Sequence, residues 1–188
     1  MAKEKLYNDL DPLLVSARQQ STKKTQAINS ASGDKKVQLF KELVGSCGKD
    51  PLVNPNFRCE FGRNIHIGNN FHANYDCTML DGAKIIIGDH VLFTPKVGLY
   101  TSNHLLNSRE RILGGCIAKP ISVGDNCWLG ANVSVLPGVN IGNGVVIGAG
   151  SVVTHNIPDN VVAVGNPCKI LHKITSADKT GFSGKDFI

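Results

Sequence analysis

The sequence of 188 residues predicts a mainly β fold, a triangular parallel β-helix with an N-terminal helical cap and a protruding loop. Apolar residues recur every six positions from Phe61 onward, and glycine often follows them. Before that point the apolar residues have the spacing of helices instead. We therefore expect the cap over residues 1–54, the β-helix over 55–170 with a loop at about 103–120, and a tail over 171–188.

Two patterns in the N-terminal segment are typical of helices. The stretch "KEKLYNDLDPLLVSARQQ" places Leu6, Leu10, Leu13, Leu14 and Ala17 at helical spacing, and Pro12 suits the first turn of a helix. The stretch "SGDKKVQLFKELVG" forms an apolar stripe of Val37, Phe40, Leu43 and Val44 and ends at a glycine. A stacked coil needs its end covered, which gives these helices a structural role.

The six-residue period extends over most of the remaining chain, with a two-residue slip after Met79. A hexad is too short for a helix and its turn, but it suits a short strand followed by a sharp bend. Three hexads close one triangular coil, and coils stack about 4.8 Å apart through backbone hydrogen bonds. The positions expected to point into the prism are Phe61, Ile67, Ala73, Met79, Ile87, Phe93, Leu99, Val123, Leu129, Val135, Ile141, Ile147 and Val153.

One stretch, "LYTSNHLLNSRERILGGCIAKPISVG", keeps the count of the period but not its composition. Within the coil, Arg109 and Arg111 would point inward, where unpaired charges are costly. We therefore expect the chain to leave the coil after about Ser102 and to return near Ile121, with Pro120 marking the return.

Composition narrows the classes of function. A net charge of +5 without a dense Lys/Arg block suits a small anionic ligand and argues against nucleic acid. No apolar run approaches 18 residues, so no membrane span is expected. Six cysteines without C-x-x-C spacing or a secretion signal are interpreted as free thiols in a reducing cytoplasm.

The tandem hexads resemble those of the hexapeptide-repeat acyltransferases, which implies a left-handed coil. The segments "FRCEFGRNIHIGNNFHANYDCTMLD", "ISVGDNCWLGANVSVLPGVNIGNGVVIGAGSVVT" and "IPDNVVAVGNPCKI" resemble the maltose and galactoside O-acetyltransferases, as "LYNDLDPLL" resembles their cap. This resemblance implies a homotrimer that binds acetyl-CoA in a groove between two prisms and transfers the acetyl group to a sugar hydroxyl. Where the family usually has His-Pro in the loop, this chain has His104-Leu105.

The resemblance also implies an active site. His104 falls at the family's catalytic base, and an imidazole suits proton acceptance near neutral pH. Asn74 aligns with an asparagine that contacts the acceptor hydroxyl. Cys116 is interpreted as a pocket wall, because the sequence shows no activating base beside it. The other residues that align with, or lie beside, acceptor-pocket positions are Asp9, Glu60, His72 and Asp81; each is equally compatible with a plain surface position.

A second set of residues matches family positions that bind acetyl-CoA. Small side chains let an extended ligand lie against the coil, basic side chains suit its phosphates, and Trp128 also suits a contact between subunits. Because the family commonly has arginine at positions 169 and 172, the phosphate contacts are expected to be weaker here. The expected cofactor-binding residues are Trp128, Ala131, Ala149, Thr154, His155, Lys169 and His172, with Lys173 assisting.

Three alternatives remain open from the sequence. A γ-type carbonic anhydrase shares the hexapeptide fold but needs three histidines around zinc, and His66 and His72 would diverge within one chain. A non-catalytic scaffold need not break its coil at His104. The third alternative keeps the enzyme class but uses a non-sugar acceptor, such as an antibiotic hydroxyl or serine. The prediction is acetyl transfer to a sugar without a metal.

Overall fold

In the part of the chain that the structure describes, the N-terminal cap contains one strand and two helices. The computed structural model describes residues 5–184, so the expected cap and tail residues 1–4 and 185–188 lie outside the described residues. The cap elements are β1 (Lys5–Asn8), α1 (Pro12–Ser30) and α2 (Gly33–Leu43). Helix α1 begins at Pro12 as predicted, and Asp11 caps it by accepting the Leu13 N–H at 2.8 Å. Leu6, expected on a helix, lies instead on β1, because a later strand supplies its backbone partners.

The coil is a parallel β-solenoid of about six turns, whose strands form the three faces of a prism. The first face contains β2 (Ser46–Cys47), β5 (Ile65–Ile67), β8 (Ile85–Ile87), β13 (Ile121–Val123) and β16 (Asn140–Ile141). The second contains β3 (Leu52–Val53), β6 (His72–Ala73), β9 (Leu92–Phe93), β14 (Trp128–Leu129), β17 (Val146–Ile147), β19 (Val161–Val164) and β20 (Lys169–Lys173). The third contains β4 (Arg58–Cys59), β7 (Thr78–Leu80), β10 (Gly98–Tyr100), β15 (Ser134–Val135) and β18 (Val152–Val153).

The prism interior confirms the six-residue period. All thirteen positions expected to point inward are buried, and eleven of them are at most 2% exposed. Phe71 and Phe93 stack edge to face across consecutive coils, with ring centroids 5.2 Å apart. Because each coil contributes only a few inward side chains, the core is one continuous column that no single coil could form alone.

The glycines of the hexads are needed for the close contact between coils more than for the bends. Seven glycines directly follow one of the thirteen inward positions, and only Gly62 among them has a positive φ. A Cβ atom added at Gly88 would lie 2.2 Å from Asp125 Oδ1 in the next coil. Asparagine, aspartate, histidine and lysine occupy most of the left-handed bend positions, as at Asn70 and Asn126. Glycine is therefore required where one coil approaches the next.

A ladder of side-chain oxygens runs along the corner between the first and second faces. Asp89 Oδ1 accepts the Asn69 N–H at 2.6 Å, and Asp125 Oδ1 accepts the Asp89 N–H at 2.8 Å. Asn143 and Asp159 continue the pattern at 2.9 and 2.8 Å. Hydrogen bonds from Asn69 lower the pKa of Asp89. Each rung satisfies a backbone donor that a bend would otherwise leave unpaired.

The interrupted stretch leaves the prism, as the fold prediction required. It forms β11 (Ser102–His104), the short helix α3 (Ser108–Ile112) and β12 (Gly115–Ala118), and the chain rejoins the first face at β13. Arg109 and Arg111 are exposed on this excursion rather than inward. Strands β11, β12 and β1 form a separate antiparallel sheet.

The coil extends slightly beyond the expected boundaries at both ends. Its first strand, β2, pairs with β5 within the range expected for the cap. Strand β20 crosses the expected start of the tail and pairs antiparallel with β19, and a short 3₁₀ helix follows at Ser176–Asp178. The strands at both ends of the coil stack against a neighbouring strand on one side only, and their sequences therefore lack the full hexad pattern.

Three further features of the described residues concern membrane spans, metal sites and the state of the cysteines. No helix within residues 5–184 is long and apolar enough to cross a membrane. In the same range, no group of three or more His, Cys, Asp or Glu side chains could hold a metal ion. All six cysteines carry free thiols.

A pair of neighbouring isoleucines tests the orientation of the strands. Ile85 is fully buried and Ile86 is 49% exposed on the same strand. We expect Ile85→Ala to lower the free energy of unfolding by about 3 kcal/mol, since it leaves a cavity in the column. The control, Ile86→Ala, should cost less than about 1 kcal/mol. Urea denaturation measures both, and equal losses would contradict the inward orientation of Ile85.

Candidate active site

The antiparallel sheet of the excursion aligns three side chains in one row. In its register Tyr7 lies opposite Cys116, and Cys116 lies opposite His104. The Leu105 N–H donates to the Gly115 carbonyl at 3.0 Å, which extends the pairing one residue beyond His104. A proline at position 105 has no N–H to donate, so the leucine fixes the path of the chain after the histidine.

His104 is exposed and has one engaged ring nitrogen. Its Nδ1 atom lies 3.1 Å from the Sγ atom of Cys116, which is 2% exposed. Nε2 has no hydrogen-bond partner among the described residues. An imidazole held at one nitrogen and open at the other has the form of a general base.

A cavity of about 460 Å³ lies beside His104. It contains four of the residues predicted for the site together with five that the sequence did not indicate, and its walls carry both charged and apolar groups. The lining residues are Tyr7, Asp9, Arg18, Glu60, Leu80, Ser102, Asn103, His104 and Cys116.

Arg18 connects the two predicted carboxylates of this cavity. Its Nη1 atom lies 2.6 Å from Asp9 Oδ1 and 3.1 Å from Glu60 Oε1, and Nη2 donates to the Asp9 carbonyl. Burial raises the pKa of Glu60, and Arg18 opposes that shift. A guanidinium binds two carboxylates better than a lysine ammonium does. Arg18 is the only arginine among the first 50 residues, and this was the one feature of the sequence that could have indicated its role.

Tyr7 is a second residue that sequence reasoning missed. Its hydroxyl donates to Ser102 Oγ at 3.1 Å. Burial raises the pKa of Tyr7 to about 12, so the phenol is neutral and remains a donor at neutral pH. No local pattern indicated this contact, since 95 residues separate its partners.

Asp81 lies beneath the cavity rather than in its wall. Its side chain is fully buried, and Oδ1 accepts the backbone N–H groups of Phe61 and Glu60 at 2.8 and 3.1 Å. Oδ2 accepts the Asn64 N–H at 3.2 Å. A fully buried carboxylate with three backbone donors matches neither expectation for Asp81, which were a contact with the acceptor and a plain surface position. Its hydrogen bonds instead anchor the bend that carries Glu60.

Asn74 lies at a different corner of the prism from His104, and His72 lies on β6 of the second face. Asn74 follows β6, where the second face turns into the third, and its Oδ1 accepts from Asn54 Nδ2 at 3.1 Å. We call this corner the asparagine edge, defined by Asn74, Ala131 and Ala149, each of which follows a strand of the second face. The excursion leaves where the third face turns into the first, so one chain does not bring Asn74 to His104.

The expected acetyl-CoA residues are likewise divided between corners. Thr154 and His155 follow β18 at the corner where the excursion departs, and we call that corner, defined by His104, Thr154 and His155, the loop edge. Trp128 is 48% exposed on the second face, three residues before Ala131 of the asparagine edge. Exposed Lys169 and His172 lie on β20, which is the outermost strand of that face.

Comparisons with known proteins agree with this architecture. A family model described as the maltose acetyltransferase hexapeptide capping motif matches residues 1–48, and one for the hexapeptide repeat of succinyl-transferase matches residues 120–155. The chain is 38% identical over 187 residues to a galactoside O-acetyltransferase of Lactococcus lactis, covering 97% of this chain and 90% of that one.

Two solved structures resemble the whole coil. One is a maltose O-acetyltransferase from Clostridium difficile, with 46% identity, a TM-score of 0.88 and coverage of 92% of this chain and 94% of that one. The other is a galactoside acetyltransferase in complex with coenzyme A, with 38% identity, a TM-score of 0.88 and coverage of 93% and 88%.

The environment of His72 predicts a pH effect on stability. Its Nε2 atom is buried without a partner among the described residues, and burial lowers its pKa. Because the unfolded chain binds a proton more readily, stability is full above the ordinary histidine pKa and falls as pH drops through it. Its cross-strand neighbours Leu52 and Leu92 are both leucine. His72→Leu should therefore lose less stability than the wild type between pH 8 and 5.5.

Urea denaturation at the two pH values measures this difference. His172→Leu is the matched control for the same change of side chain at an exposed histidine, which has no buried ring nitrogen to lose. A pH dependence for His72→Leu equal to that of the wild type would show that His72 is not the group responsible.

Proposed function

The chain belongs to the hexapeptide-repeat acetyltransferases of the maltose and galactoside type, and from this premise we propose that it transfers an acetyl group from acetyl-CoA to a sugar hydroxyl. The single observation that carries the proposal is His104, held at Nδ1 and open at Nε2 beside a cavity lined with carboxylates. Such a site suits a substrate with several hydroxyl groups, since carboxylates accept hydrogen bonds from sugar hydroxyls and the protein's hydroxyl groups can donate or accept them.

The reaction needs one proton carrier. The acceptor oxygen attacks the thioester carbonyl while its proton passes to His104 Nε2. The tetrahedral intermediate collapses, the carbon–sulfur bond breaks, and the imidazolium returns the proton to the sulfur of CoA. Holding the two substrates together supplies much of the rate, which is consistent with the small number of catalytic groups.

The acceptor is proposed to bind in the cavity around Arg18. Asp9 and Glu60 present carboxylate oxygens that Arg18 fixes in place, and Tyr7 and Ser102 add hydroxyl groups. Asp81 supports this wall from below. Cys116 closes the cavity beside His104.

A homotrimer explains the division of site residues between two corners. His104 lies on the loop edge, whereas Asn74 lies on the asparagine edge. If the loop edge of each chain meets the asparagine edge of the next, three chains close a ring with three equal sites. Asn74 Nδ2, which has no partner among the described residues, then points to the acceptor of the neighbouring chain's site.

Acetyl-CoA is proposed to lie in the groove between the loop edge of one chain and the asparagine edge of the next. Ala131 and Ala149 leave room for an extended arm on one side, and Thr154 and His155 face it from the other. Lys169 and Lys173 supply positive charge for the phosphates, and the His172 ring can donate a hydrogen bond to them. No metal takes part in the proposed reaction, and the six free thiols support a cytoplasmic location.

Removal of the base tests the catalytic assignment. We expect His104→Ala to lower kcat by about 10²- to 10⁴-fold, because no other described side chain replaces Nε2. CoA release is measured with a panel of sugars, an antibiotic alcohol and serine. His66→Ala is the matched control, since His66 lies on the first face. Near-equal rates for wild type and His104→Ala would remove His104 from the mechanism, and turnover on serine alone would exclude the sugar.

Mixed trimers test the shared site. His104→Ala and Asn74→Ala chains should each be nearly inactive alone. Co-expressed in equal amounts, they restore a site wherever an intact His104 meets an intact Asn74, which gives about a quarter of the wild-type activity for random assembly. Activity that stays at the level of the separate variants would place both residues in one chain's site.

A further inference from the structure

Cys116 occupies an unusual position for a buried thiol. It is the middle residue of the row formed by Tyr7, Cys116 and His104, and it is 2% exposed. Its Sγ atom lies 3.1 Å from His104 Nδ1, which is within hydrogen-bond distance for sulfur. Tyr7 lies opposite Cys116 on the other neighbouring strand, β1.

The pairing of the two strands enforces this contact. His104 and Cys116 are directly opposite in the antiparallel register, and the Leu105–Gly115 hydrogen bond holds the next step of the ladder. Opposite side chains on one face of an antiparallel pair lie within contact distance. The histidine ring is therefore held by the backbone pairing and by the sulfur together.

Burial raises the pKa of the Cys116 thiol, and Asp9 adds to the shift. A neutral thiol is a poor nucleophile and does not form an ion pair with the imidazole. It can still accept a hydrogen bond from a ring N–H. A neutral imidazole carries one N–H, and the partner of one nitrogen decides which nitrogen is open.

We propose that Cys116 is a positioning residue that accepts a hydrogen bond from His104 Nδ1–H and thereby leaves Nε2 unprotonated and aimed at the acceptor hydroxyl. This inference rests on the proposed function, because it assigns Nε2 of His104 as the base. Cys116 itself forms no bond to the acetyl group. Its part is to select the tautomer and orientation of the ring before the substrates bind.

The experiment measures the tautomer directly in the ligand-free full-length protein. Long-range proton–nitrogen NMR correlations on protein labelled at histidine nitrogen report which ring nitrogen carries the proton. The chain has six histidines, and the His104→Ala spectrum identifies the His104 signals. We compare wild type, Cys116→Ala and Cys116→Ser, with Cys77→Ala as the matched truncation of a buried thiol elsewhere.

We expect Nδ1–H in the wild type, a shift toward Nε2–H in Cys116→Ala, and recovery in Cys116→Ser, whose hydroxyl also accepts. The kcat should fall roughly tenfold in Cys116→Ala at unchanged KM for acetyl-CoA and recover in Cys116→Ser, as expected for one lost hydrogen bond. Cys77→Ala should match the wild type in tautomer and kcat even if it is less stable.

The outcomes separate this inference from the proposed function. Nε2–H in the wild type, or the same tautomer in wild type and Cys116→Ala, overturns the role of Cys116 even when His104→Ala is inactive. Full activity of His104→Ala overturns the base assignment instead, whatever the tautomer shows.

Discussion

Each coil of the prism hydrogen-bonds through its backbone to the coils above and below, and the whole molecule depends on that stacking. Stacking requires inward side chains that fill a narrow triangular column, as Leu129 and Ile147 do without measurable exposure. It also requires close approach at the corners, where a Cβ on Gly88 would collide with Asp125. These two requirements explain why the sequence alternates aliphatic residues and glycine so regularly.

The same regularity limits where chemistry can be placed. A hexad leaves only outward side chains and corners free, so a deep pocket cannot form within the coil itself. The chain obtains one by leaving the prism at Thr101 and building a second sheet with the N-terminal strand. The cap therefore has two roles, because α1 carries Arg18 and β1 carries Tyr7 into the cavity beside His104. The carboxylates of Asp9 and Glu60 would be too costly to bury inside the apolar column. They are stable in this cavity because each forms an ion pair with Arg18.

Several residues of the candidate site were expected from the sequence, and others were not. His104, Asp9, Glu60 and Cys116 meet in one cavity, and resemblance to the family had indicated each of them. The sequence did not indicate Arg18, because its two carboxylate partners, Asp9 and Glu60, are 9 and 42 residues away along the chain. Asp81 was expected beside the pocket or on the surface, but its buried carboxylate accepts hydrogen bonds from three backbone N–H groups. A sequence pattern shows that a carboxylate is present, but not which way it points.

The sequence by itself determined the prism, its period and the point where the period fails, because inward burial repeats locally every six residues. It also determined that Pro12 begins a helix, since capping depends on neighbours along the chain. Only the tertiary structure decided that Leu6 lies on a strand, that Cys116 contacts His104, and that Asn74 and His104 lie on different edges. Those facts depend on strand pairing between distant segments, which no local pattern encodes.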